Sequence, residues 1–288
     1  MVAGPGAPVE RRYTRRVERI DGLSDPRLAD YRDLKDPDLR LRRGLFVVEG
    51  RILVGRLLES PRFRVRSVLG TEAALESLRD LLDARTDGPE ALLARKEILR
   101  GLVGYRFHRG CLAVGERGAE PPAEALIEAP GPRLLVGLED VADPDNVGGV
   151  FRNARAFGAH AVLLSPASAD PLYRKAIRVS MGSSLSMPFA RLGDWLAGLG
   201  RLREAQYTVV ALTPAPGARD ITGLGAMRPT PERVALLLGA EGQGLSAEAR
   251  AAADLEVRIP MAPGIDSLNV AVAAGIALHR LSGARAEP

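Results

Sequence analysis

Several residue types and patterns are scarce or absent in this sequence, and each scarcity excludes a class of protein. The single cysteine, Cys111, cannot form an internal disulfide, and with no secretory segment we expect a cytoplasmic protein. No apolar run approaches the roughly 20 residues that a membrane span needs, so no membrane partner is expected. The three histidines are scattered and give no ligand cluster, so no metal is expected.

Common nucleotide-binding and hydrolase motifs are also missing. There is no G-x-G-x-x-G after the first strand of the second half, no G-x-x-x-x-G-K-[ST], and no serine in G-x-S-x-G. A dehydrogenase-like enzyme would need a glycine fingerprint where Asp143, Pro144, Asp145 and Asn146 stand. Two carboxylates at that place would repel a pyrophosphate, so a dinucleotide-binding fold is not expected.

Lysine is scarce within the basic class. Only three of the 40 basic residues are lysines, and the net charge is +4. Arginine suits phosphate binding and base stacking better than lysine does, although codon bias or thermal adaptation would give the same composition. Basic residues concentrate locally at Arg40, Arg42, Arg43, Arg51 and Arg56, and again at Arg95, Lys96, Arg100, Arg106, His108 and Arg109. Each cluster either shares one face and binds phosphates, or consists of ordinary solvated positions.

The 288 residues predict two α/β domains. A basic flexible arm is expected over residues 1–20, and a small α/β domain over 21–116, followed by a Pro- and Gly-rich linker over 117–132. The second domain is expected over 133–288. Nearly continuous apolar strands separated by helices favour a parallel sheet covered on both faces.

Local patterns predict the individual elements. In the first domain, strands are expected at Leu45–Gly50, Val65–Leu69 and Cys111–Val114, and helices at Asp25–Lys35, Asp36–Arg43, Arg51–Glu59 and Ala74–Ala84. In the second domain, strands are expected at Leu134–Leu138, Ala161–Leu164, Thr208–Leu212, Val234–Leu238 and Glu256–Ile259. Helices are expected at Val150–Phe157, Leu172–Val179 and Ala271–Leu278.

Three of the predicted strands lead into polar or glycine-rich loops. The loops are Asp143–Gly149, Gly239–Gly244 and the stretch from Pro260 to Asn269. The carboxyl ends of parallel strands meet at one edge of a sheet, so we expect a single ligand crevice there. Glycines would let a ligand approach the main chain closely. Arg152 lies less than two helical turns after Asn146 and could reach the same crevice, or it could form a surface salt bridge.

Together these segments resemble the three signature motifs of the SPOUT superfamily of RNA methyltransferases, in its TrmH/SpoU branch. The first motif matches at Asn146–Arg152, the second at Leu238–Leu245, and the third at Ile259–Met261 with Ser267–Val270. Their order and spacing fit along residues 133–282. The first domain resembles, less sharply, the small substrate-binding domain that often precedes the catalytic unit, with Phe46–Gly50 as its best match.

The resemblance implies a C-terminal parallel-sheet fold with a deep trefoil knot, preceded by a small α/β substrate-binding domain. It implies a homodimer that binds S-adenosylmethionine and methylates a ribose 2′-hydroxyl of RNA. The cofactor-binding residues would be Thr213, Gly239, Ile259 and Leu268. The catalytic residues would be Asn146, Arg152, Glu241, Ser267 and Asn269. The RNA-binding residues would include Arg40, Arg42, Arg43 and Arg51.

The resemblance also implies that Arg152 handles the proton of the ribose hydroxyl. An ordinary guanidinium stays protonated up to about pH 12, so two mechanisms remain open. A neighbouring RNA phosphate would perturb Arg152, or Arg152 would stay charged and stabilise the developing alkoxide while another group accepts the proton. We favour the second, since an anion stabilises the charged form. Asn146 and Asn269 would orient Arg152 or the ribose, and Ser267 would bind the cofactor or cap its helix.

The RNA target is a separate question. An accessory N-terminal domain favours ribosomal RNA over transfer RNA, because a structured target needs additional reading surface. Transfer RNA stays open, as does a role in antibiotic resistance through one ribosomal nucleotide. A catalytically silent RNA-binding protein on the same fold is a further alternative, against which the intact set of five catalytic residues argues.

Overall fold

A computed structural model describes residues 17–32, 43–103, 110–226 and 231–283. The chain divides into two compact units, residues 1–116 and 117–288. Strand β1 (Val17–Ile20) lies within the arm predicted over 1–20, and its Ile20 is buried, so these four residues are not a flexible arm. The rest of that arm lies outside the described residues. Within the described ranges, no helix combines the length and apolarity of a membrane span.

The first unit is a five-stranded mixed sheet with strand order β1-β4-β3-β5-β2. Its other strands are β2 (Leu45–Glu49), β3 (Arg64–Gly70), β4 (Glu90–Ala94) and β5 (Cys111–Glu116). Its helices are the 3-10 helix Pro26–Tyr31, α1 (Arg51–Glu59), α2 (Glu72–Glu76), α3 (Arg79–Ala84) and α4 (Lys96–Val103). All five residues of β2 are buried, which explains its uninterrupted apolar run.

The strands predicted in the first unit and the helix predicted at Arg51–Glu59 are confirmed, whereas β1, β4 and α4 are additions. The helix predicted over Ala74–Ala84 divides into α2 and α3. Thr71 caps α2, and the Ser77 hydroxyl donates to the Ala74 carbonyl at 2.8 Å where α2 ends. A serine that bonds back to the main chain in this way competes with helix continuation.

The first predicted helix of this unit is also shorter than expected. In the described part of the segment Asp25–Lys35, a 3-10 helix spans Pro26–Tyr31 and ends there because Arg32 takes an extended conformation, and residues 33–35 lie outside the described residues. Asp25 starts this turn by accepting hydrogen bonds from the backbone and side chain of Arg27. The helix predicted at Asp36–Arg43 lies outside the described residues except for its last residue.

The second unit is a seven-stranded sheet with order β10-β12-β9-β11-β6-β7-β8, in which every neighbouring pair is parallel. The strands are β6 (Arg133–Leu138), β7 (Ala161–Leu164), β8 (Phe189–Arg191), β9 (Thr208–Leu212), β10 (Arg219–Asp220), β11 (Arg233–Leu238) and β12 (Leu255–Arg258). The five predicted strands are confirmed. The sequence missed β8 and β10, whose three and two residues are too short to show a period.

Helices cover both faces of this sheet. They are α5 (Ala123–Ile127), α6 (Pro144–Ala156), α7 (Arg174–Val179), α8 (Trp195–Glu204), α9 (Ala247–Ala251) and α10 (Val270–Gly283), with 3-10 helices at Ser183–Leu185 and Ile221–Ala226. Helices α5, α8 and α9 share one core with the sheet. On the other face α6 packs against α7 and α10, and its Phe151 ring meets the ring of Phe189 edge-on at 5.8 Å.

The segment predicted as a linker, residues 117–132, contains α5 and lies within the second unit. Ala123 and Ile127 are buried in the core that includes Trp195. The Tyr207 hydroxyl donates to the Ile127 carbonyl at 3.1 Å, and the Arg233 guanidinium donates to the Ala129 carbonyl at 3.0 Å. This Pro- and Gly-rich segment therefore contains one packed helical turn and is not only a linker. The domain boundaries at 20, 116 and 132 stay a prediction.

Two helix starts also differ from the predicted ones. Helix α6 begins at Pro144 and not at 150, because the Asp143 side chain accepts the Asp145 N–H at 2.9 Å and proline suits the first turn. Helix α7 begins at Arg174, since Asp170 Oδ1 accepts the Leu172 N–H at 2.9 Å and holds a turn before it. The start of α6 places Asn146 inside the helix and not in a loop.

Candidate active site

A cavity of about 680 Å³ opens at the carboxyl edge of the second sheet. It lies beyond the ends of β9, β11 and β12, which are adjacent parallel strands. All four residues predicted to bind the cofactor line it: Thr213, Gly239, Ile259 and Leu268. Three of the five predicted catalytic residues also line it: Glu241, Ser267 and Asn269. The second and third motifs therefore meet at one cavity, as the sequence predicts.

Gly239 lets the loop of the second motif fold back on itself. The Gly244 N–H donates to the Ala240 carbonyl at 2.9 Å, which closes a turn with a positive φ of 86° at Gly242. A side chain at Gly239 would overlap the backbone of Gly244 and Leu245. Only a glycine at the strand end allows this close approach, which leaves the cavity wall at this point formed by main chain.

A buried carboxylate fixes the far end of the same loop. Glu139 directly follows β6 and is 7% exposed. Its two oxygens accept the N–H and the hydroxyl of Ser246, at 2.8 and 2.7 Å. The Ser246 hydroxyl accepts in turn from Ala249 and caps α9. The sequence analysis did not identify Glu139. Two signals for this contact were present in the sequence: a carboxylate at the end of a buried strand, and a serine directly before a helix.

Asn269 joins all three motifs through one side chain. Its Oδ1 accepts the N–H groups of Ala271 and Val272, at 3.0 and 3.3 Å, and so caps α10. Because the oxygen faces those donors, the Nδ2 group donates to Asn146 Oδ1 at 2.8 Å and to Glu241 Oε1 at 2.9 Å. Of the two roles left open for Ser267, capping of the helix is therefore taken by Asn269.

Small residues bring α6 and α10 together so that these contacts form. A Cβ on Gly149 would come within 2.6 Å of the Ala271 Cβ. The Asn153 Nδ2 group donates to the Ala271 carbonyl at 2.6 Å, and Gly275 lies against the same asparagine. Because the two helices pack closely, the buried Asn146 lies within hydrogen-bond distance of the exposed Asn269.

Arg152 lies on the exposed side of α6, six residues after Asn146. It makes no ion pair or hydrogen bond with any residue that the structure describes, so the salt bridge considered above does not form within that part of the chain. It is also absent from the walls of the cavity. Its charge is therefore available to a group that approaches from outside.

The charged groups in the cavity wall are Glu241, Arg250 and Asp266. Arg250 is held by Glu256, with Nε to Oε1 at 2.7 Å and Nη2 to Oε2 at 3.0 Å. This bidentate pair lowers the pKa of the Glu256 carboxyl and raises the pKa of Arg250. Arg250 thus remains a fixed cation beside the cavity.

The residues present fit an adenosine-containing cofactor. The volume lies within the range of about 300–1,000 Å³ typical of small-molecule sites. Leu212, Leu238, Leu245 and Ile259 give apolar walls for a base, and the glycine loop exposes backbone groups to ribose hydroxyls. The Thr213 hydroxyl accepts the Ala215 N–H at 3.3 Å, which orders the loop after β9.

The basic residues of the first unit are partly described. Arg43 and Arg51 are exposed, and Arg43 lies 3.6 Å from Asp30. Arg95, Lys96 and Arg100 of the second basic cluster are exposed as well. The remaining predicted RNA-binding residues, Arg40 and Arg42, lie outside the described residues.

Sequence relatives cover nearly the whole chain. An uncharacterized tRNA/rRNA methyltransferase of Mycobacterium bovis is 40% identical over 268 residues, which cover 91% of each protein. The 23S rRNA (guanosine-2′-O-)-methyltransferase RlmB of Nitrosomonas europaea is 33% identical over 229 residues, covering 78% of this chain and 86% of RlmB.

Solved structures agree with the fold. The rRNA methyltransferase of Sinorhizobium meliloti superposes with a TM-score of 0.80 at 27% identity, covering 92% of this chain and 97% of that one. The SpoU methyltransferase AviRb of Streptomyces viridochromogenes, in complex with AdoMet, gives 0.75 at 26% identity, covering 91% and 98%. The knot that the resemblance implies stays a prediction. The model of the SpoU rRNA Methylase family matches residues 133–279, and the chain belongs to that family.

Proposed function

We propose that this protein transfers a methyl group from S-adenosylmethionine to a ribose 2′-hydroxyl of RNA, with ribosomal RNA as the favoured substrate. The observation that carries the proposal is the contact of Asn269, in the cavity wall, with both Asn146 and Glu241. Support comes from relatives named as RNA methyltransferases and from related structures that hold AdoMet. The cytoplasmic location predicted from the sequence is part of this proposal.

The cofactor, when bound, supplies an electrophilic methyl group on a sulfonium centre. The backbone at Gly239 and the apolar side chains of Ile259 and Leu268 hold its adenosine part. The loop that Glu139 and Ser246 fix at its far end keeps that wall in place before any ligand enters. Ser267, exposed and on the wall, is free to bind the cofactor, since Asn269 caps the helix.

Arg152 acts on the ribose oxygen. A 2′-hydroxyl is a poor nucleophile until its proton leaves, and a guanidinium that stays protonated to about pH 12 cannot accept that proton. Arg152 therefore stabilises the developing alkoxide while another group accepts the proton. Its lack of a partner among the described residues leaves its five N–H donors to the substrate.

Replacement of Arg152 tests this role. We expect Arg152→Ala to lower kcat by roughly 100- to 1,000-fold, as for the loss of an oxyanion donor, with little change in cofactor affinity. Tritium transfer from S-adenosylmethionine to RNA and calorimetry with the cofactor measure the two quantities. Arg203→Ala, which removes another exposed arginine on α8, is the matched control. Wild-type turnover by Arg152→Ala would refute the assignment.

The choice of ribosomal over transfer RNA rests on the RlmB relatives, which are named for 23S rRNA. Mapping of 2′-O-methyl positions in total RNA, with and without the gene, tests it directly. A single lost site in ribosomal RNA is the expected result. A lost site in transfer RNA would redirect the proposal, and cofactor binding with no lost site would favour the catalytically silent RNA-binding protein.

The first unit, over residues 21–116, is proposed to bind the RNA substrate. The exposed Arg43 and Arg51 support this, and Arg40 and Arg42 belong to the same stretch of sequence. Replacing both Arg43 and Arg51 by alanine is expected to weaken RNA binding and to leave cofactor affinity unchanged. Filter binding at several salt concentrations measures the loss, and unchanged affinity would exclude these two arginines.

We also propose that two copies of the chain associate. Ile265 and Val272 are 55% and 52% exposed, and they lie on either side of the start of α10 in the chain. Exposed apolar side chains of this kind mark an interaction surface. Val272→Glu is expected to shift the protein from dimer to monomer in sedimentation velocity. A wild-type monomer at micromolar concentration would contradict the proposal.

A further inference from the structure

Methyl transfer to a ribose 2′-hydroxyl requires a group that accepts the proton of that hydroxyl. Arg152 cannot be this group, because a guanidinium stays protonated up to about pH 12. The acceptor must lie where the attacking oxygen meets the transferred methyl group. That place is at the cavity, so the acceptor belongs to the cavity wall.

Among the described residues that line the cavity, two carry a carboxylate: Glu241 and Asp266. The same described wall contains no histidine, lysine or cysteine. Its third charged residue, Arg250, is bound to Glu256, which raises the pKa of the guanidinium and keeps it protonated. The hydroxyl and amide side chains of the wall are far weaker bases than a carboxylate. The acceptor is therefore one of the two carboxylates.

A hydrogen bond from Asn269 distinguishes Glu241 from Asp266. Glu241 Oε1 accepts from Asn269 Nδ2 at 2.9 Å, and the same Nδ2 group donates to Asn146 Oδ1 at 2.8 Å. Because Asn269 is itself fixed by its cap of α10, this bond gives the carboxylate of Glu241 a defined position. The side chain of Asp266 has no hydrogen bond or ion pair with any residue in the described ranges. A base must be held in place to take a proton in the transition state, which favours Glu241.

The other carboxylate oxygen of Glu241, Oε2, is available to a substrate. It has no hydrogen-bond partner among the residues that the structure describes, and the side chain is exposed. The loop that carries Glu241 is closed by the bond from the Gly244 N–H to the Ala240 carbonyl at 2.9 Å. One oxygen thus positions the carboxylate, and the other faces the side from which RNA must approach.

We propose that Glu241 is the catalytic base that accepts the proton of the ribose 2′-hydroxyl, an inference that rests on the proposed function. As the oxygen attacks the methyl group, the O–H bond breaks and the proton passes to Glu241 Oε2. An electron pair of the oxygen forms the new O–CH3 bond, and the electron pair of the broken C–S bond stays on sulfur. The negative charge of the carboxylate and the positive charge of the sulfonium disappear together, and the carboxyl group later releases its proton to water.

Glu241→Gln tests the carboxylate without removing the contact with Asn269. The amide keeps an oxygen that accepts from Asn269, but it cannot take up a proton at neutral pH. We expect kcat to fall by roughly 100- to 10,000-fold, the range for loss of a general base, with the KM for RNA within about threefold. Tritium transfer to total RNA from a strain that lacks the gene measures both. Glu248→Gln, an exposed carboxylate of α9 outside the cavity wall, is the control and should keep the wild-type kcat.

Glu241→Ala adds a measurement that a purely structural role would not move. The truncation leaves room for a small carboxylate, so acetate should restore part of the lost kcat. Fluoroacetate has nearly the same size but is a weaker base, so it should restore less. Chloride at the same ionic strength should restore nothing, and equal effects of acetate and chloride would overturn the inference.

Calorimetry gives a second measurement, without turnover. S-adenosylhomocysteine lacks the sulfonium charge, so Glu241→Gln should bind it within about threefold of the wild type, while the affinity for S-adenosylmethionine should fall by more. A loss of S-adenosylhomocysteine affinity of about tenfold or more would show that Glu241 builds the cavity wall and would overturn the inference.

The remaining outcomes separate this inference from the proposed function. A wild type that methylates RNA, together with a Glu241→Gln variant that keeps its kcat, would overturn the inference alone. The same holds if Asp266→Asn loses more kcat than Glu241→Gln, because Asp266 would then be the acceptor. A wild type that transfers no methyl group to this RNA would overturn the proposed function and the inference with it.

Discussion

Asn269 Nδ2 lies 2.8 Å from Asn146 Oδ1, although 123 residues separate the two asparagines. The same Nδ2 group donates to Glu241, and Oδ1 on the other side of the amide caps α10. One amide therefore uses its acceptor for the fold and its donors for the site. The two functions can be separated by changing the chemistry of the amide without changing its shape.

Asn269→Asp keeps the shape and the capping oxygen but loses both donors. Aspartate is as good a helix cap as asparagine, so the cap itself is kept and any loss of stability comes from repulsion between the new carboxylate and Glu241. The new carboxylate faces Glu241 and the oxygen of Asn146, so methyl transfer should fall by roughly 100-fold. Asn269→Ala should in addition cost about 1 kcal/mol of stability through loss of the cap.

Thermal unfolding and tritium transfer separate these effects. Ser282→Ala, at the other end of α10, is the control and should change neither quantity. Full turnover by Asn269→Asp would show that the contacts with Asn146 and Glu241 are not needed.

Gly239→Ala should impair cofactor binding. The added methyl group would overlap the backbone of Gly244 and Leu245, so the loop that forms the cavity wall must move. We expect at least a tenfold loss of affinity for S-adenosylmethionine in calorimetry. Gly200→Ala in α8 is the control, because nothing lies within 4 Å of its Cβ position, and it should add about 0.5–1 kcal/mol of helix stability. Unchanged cofactor affinity in Gly239→Ala would argue against this loop as the binding wall.

Asp87 should make the first unit sensitive to acid. Its hydrogen bond with Arg85 lowers the pKa of the carboxyl to about 2, below an unfolded value of about 3.9. The stabilisation is therefore complete above about pH 4 and is lost as the pH falls toward 2. Arg85 also donates to the carbonyls of Leu58, Ser60 and Phe63, so the ionised pair fixes several loops.

We expect Asp87→Asn to cost on the order of 1–2 kcal/mol at pH 7 and almost nothing at pH 2. Urea unfolding of both proteins across this range measures the difference. Glu59→Gln, an exposed carboxylate of the same unit, is the control. A difference that stays constant between pH 7 and pH 2 would contradict the assigned pKa.

The position of α5 predicts where the second unit can be cut. A fragment of residues 117–288 retains Ala123 and Ile127, whereas a fragment of 130–288 loses them and the carbonyl that accepts from Tyr207. Burial of an isoleucine contributes about 1.5–3 kcal/mol, so the shorter fragment should be less stable by at least about 3 kcal/mol. Urea unfolding of the two fragments compares them, and equal stabilities would show that α5 is dispensable.

Much of the second unit followed from the sequence because its signals are local. Five apolar runs identified five parallel strands, and glycines with polar residues after Leu138, Leu238 and Ile259 identified the edge that carries the cavity. The alternation of strands with helices required a parallel sheet, and the carboxyl ends of parallel strands meet at one edge. The roles of individual residues in all three motifs came from the resemblance to a family.

Other features depended on contacts that no local pattern records. The helical turn at Ala123–Ile127 is too short to show a period, and only the core around Trp195 makes it a helix. The pairing of Glu139 with Ser246 spans 107 residues and has no sequence period. The exposed position of Arg152, away from the cavity wall, depends on which faces of α6 pack against α7 and α10.

By itself the sequence determined the five longest strands of the second unit, their parallel arrangement and the residues available at the site, because hydrophobic period and turn chemistry act over a few residues. Only the tertiary structure decided which of those residues meet. Asn269 reaches Asn146 because Gly149 and Ala271 let α6 and α10 approach closely, and that approach is a property of two packed surfaces, not of either segment alone.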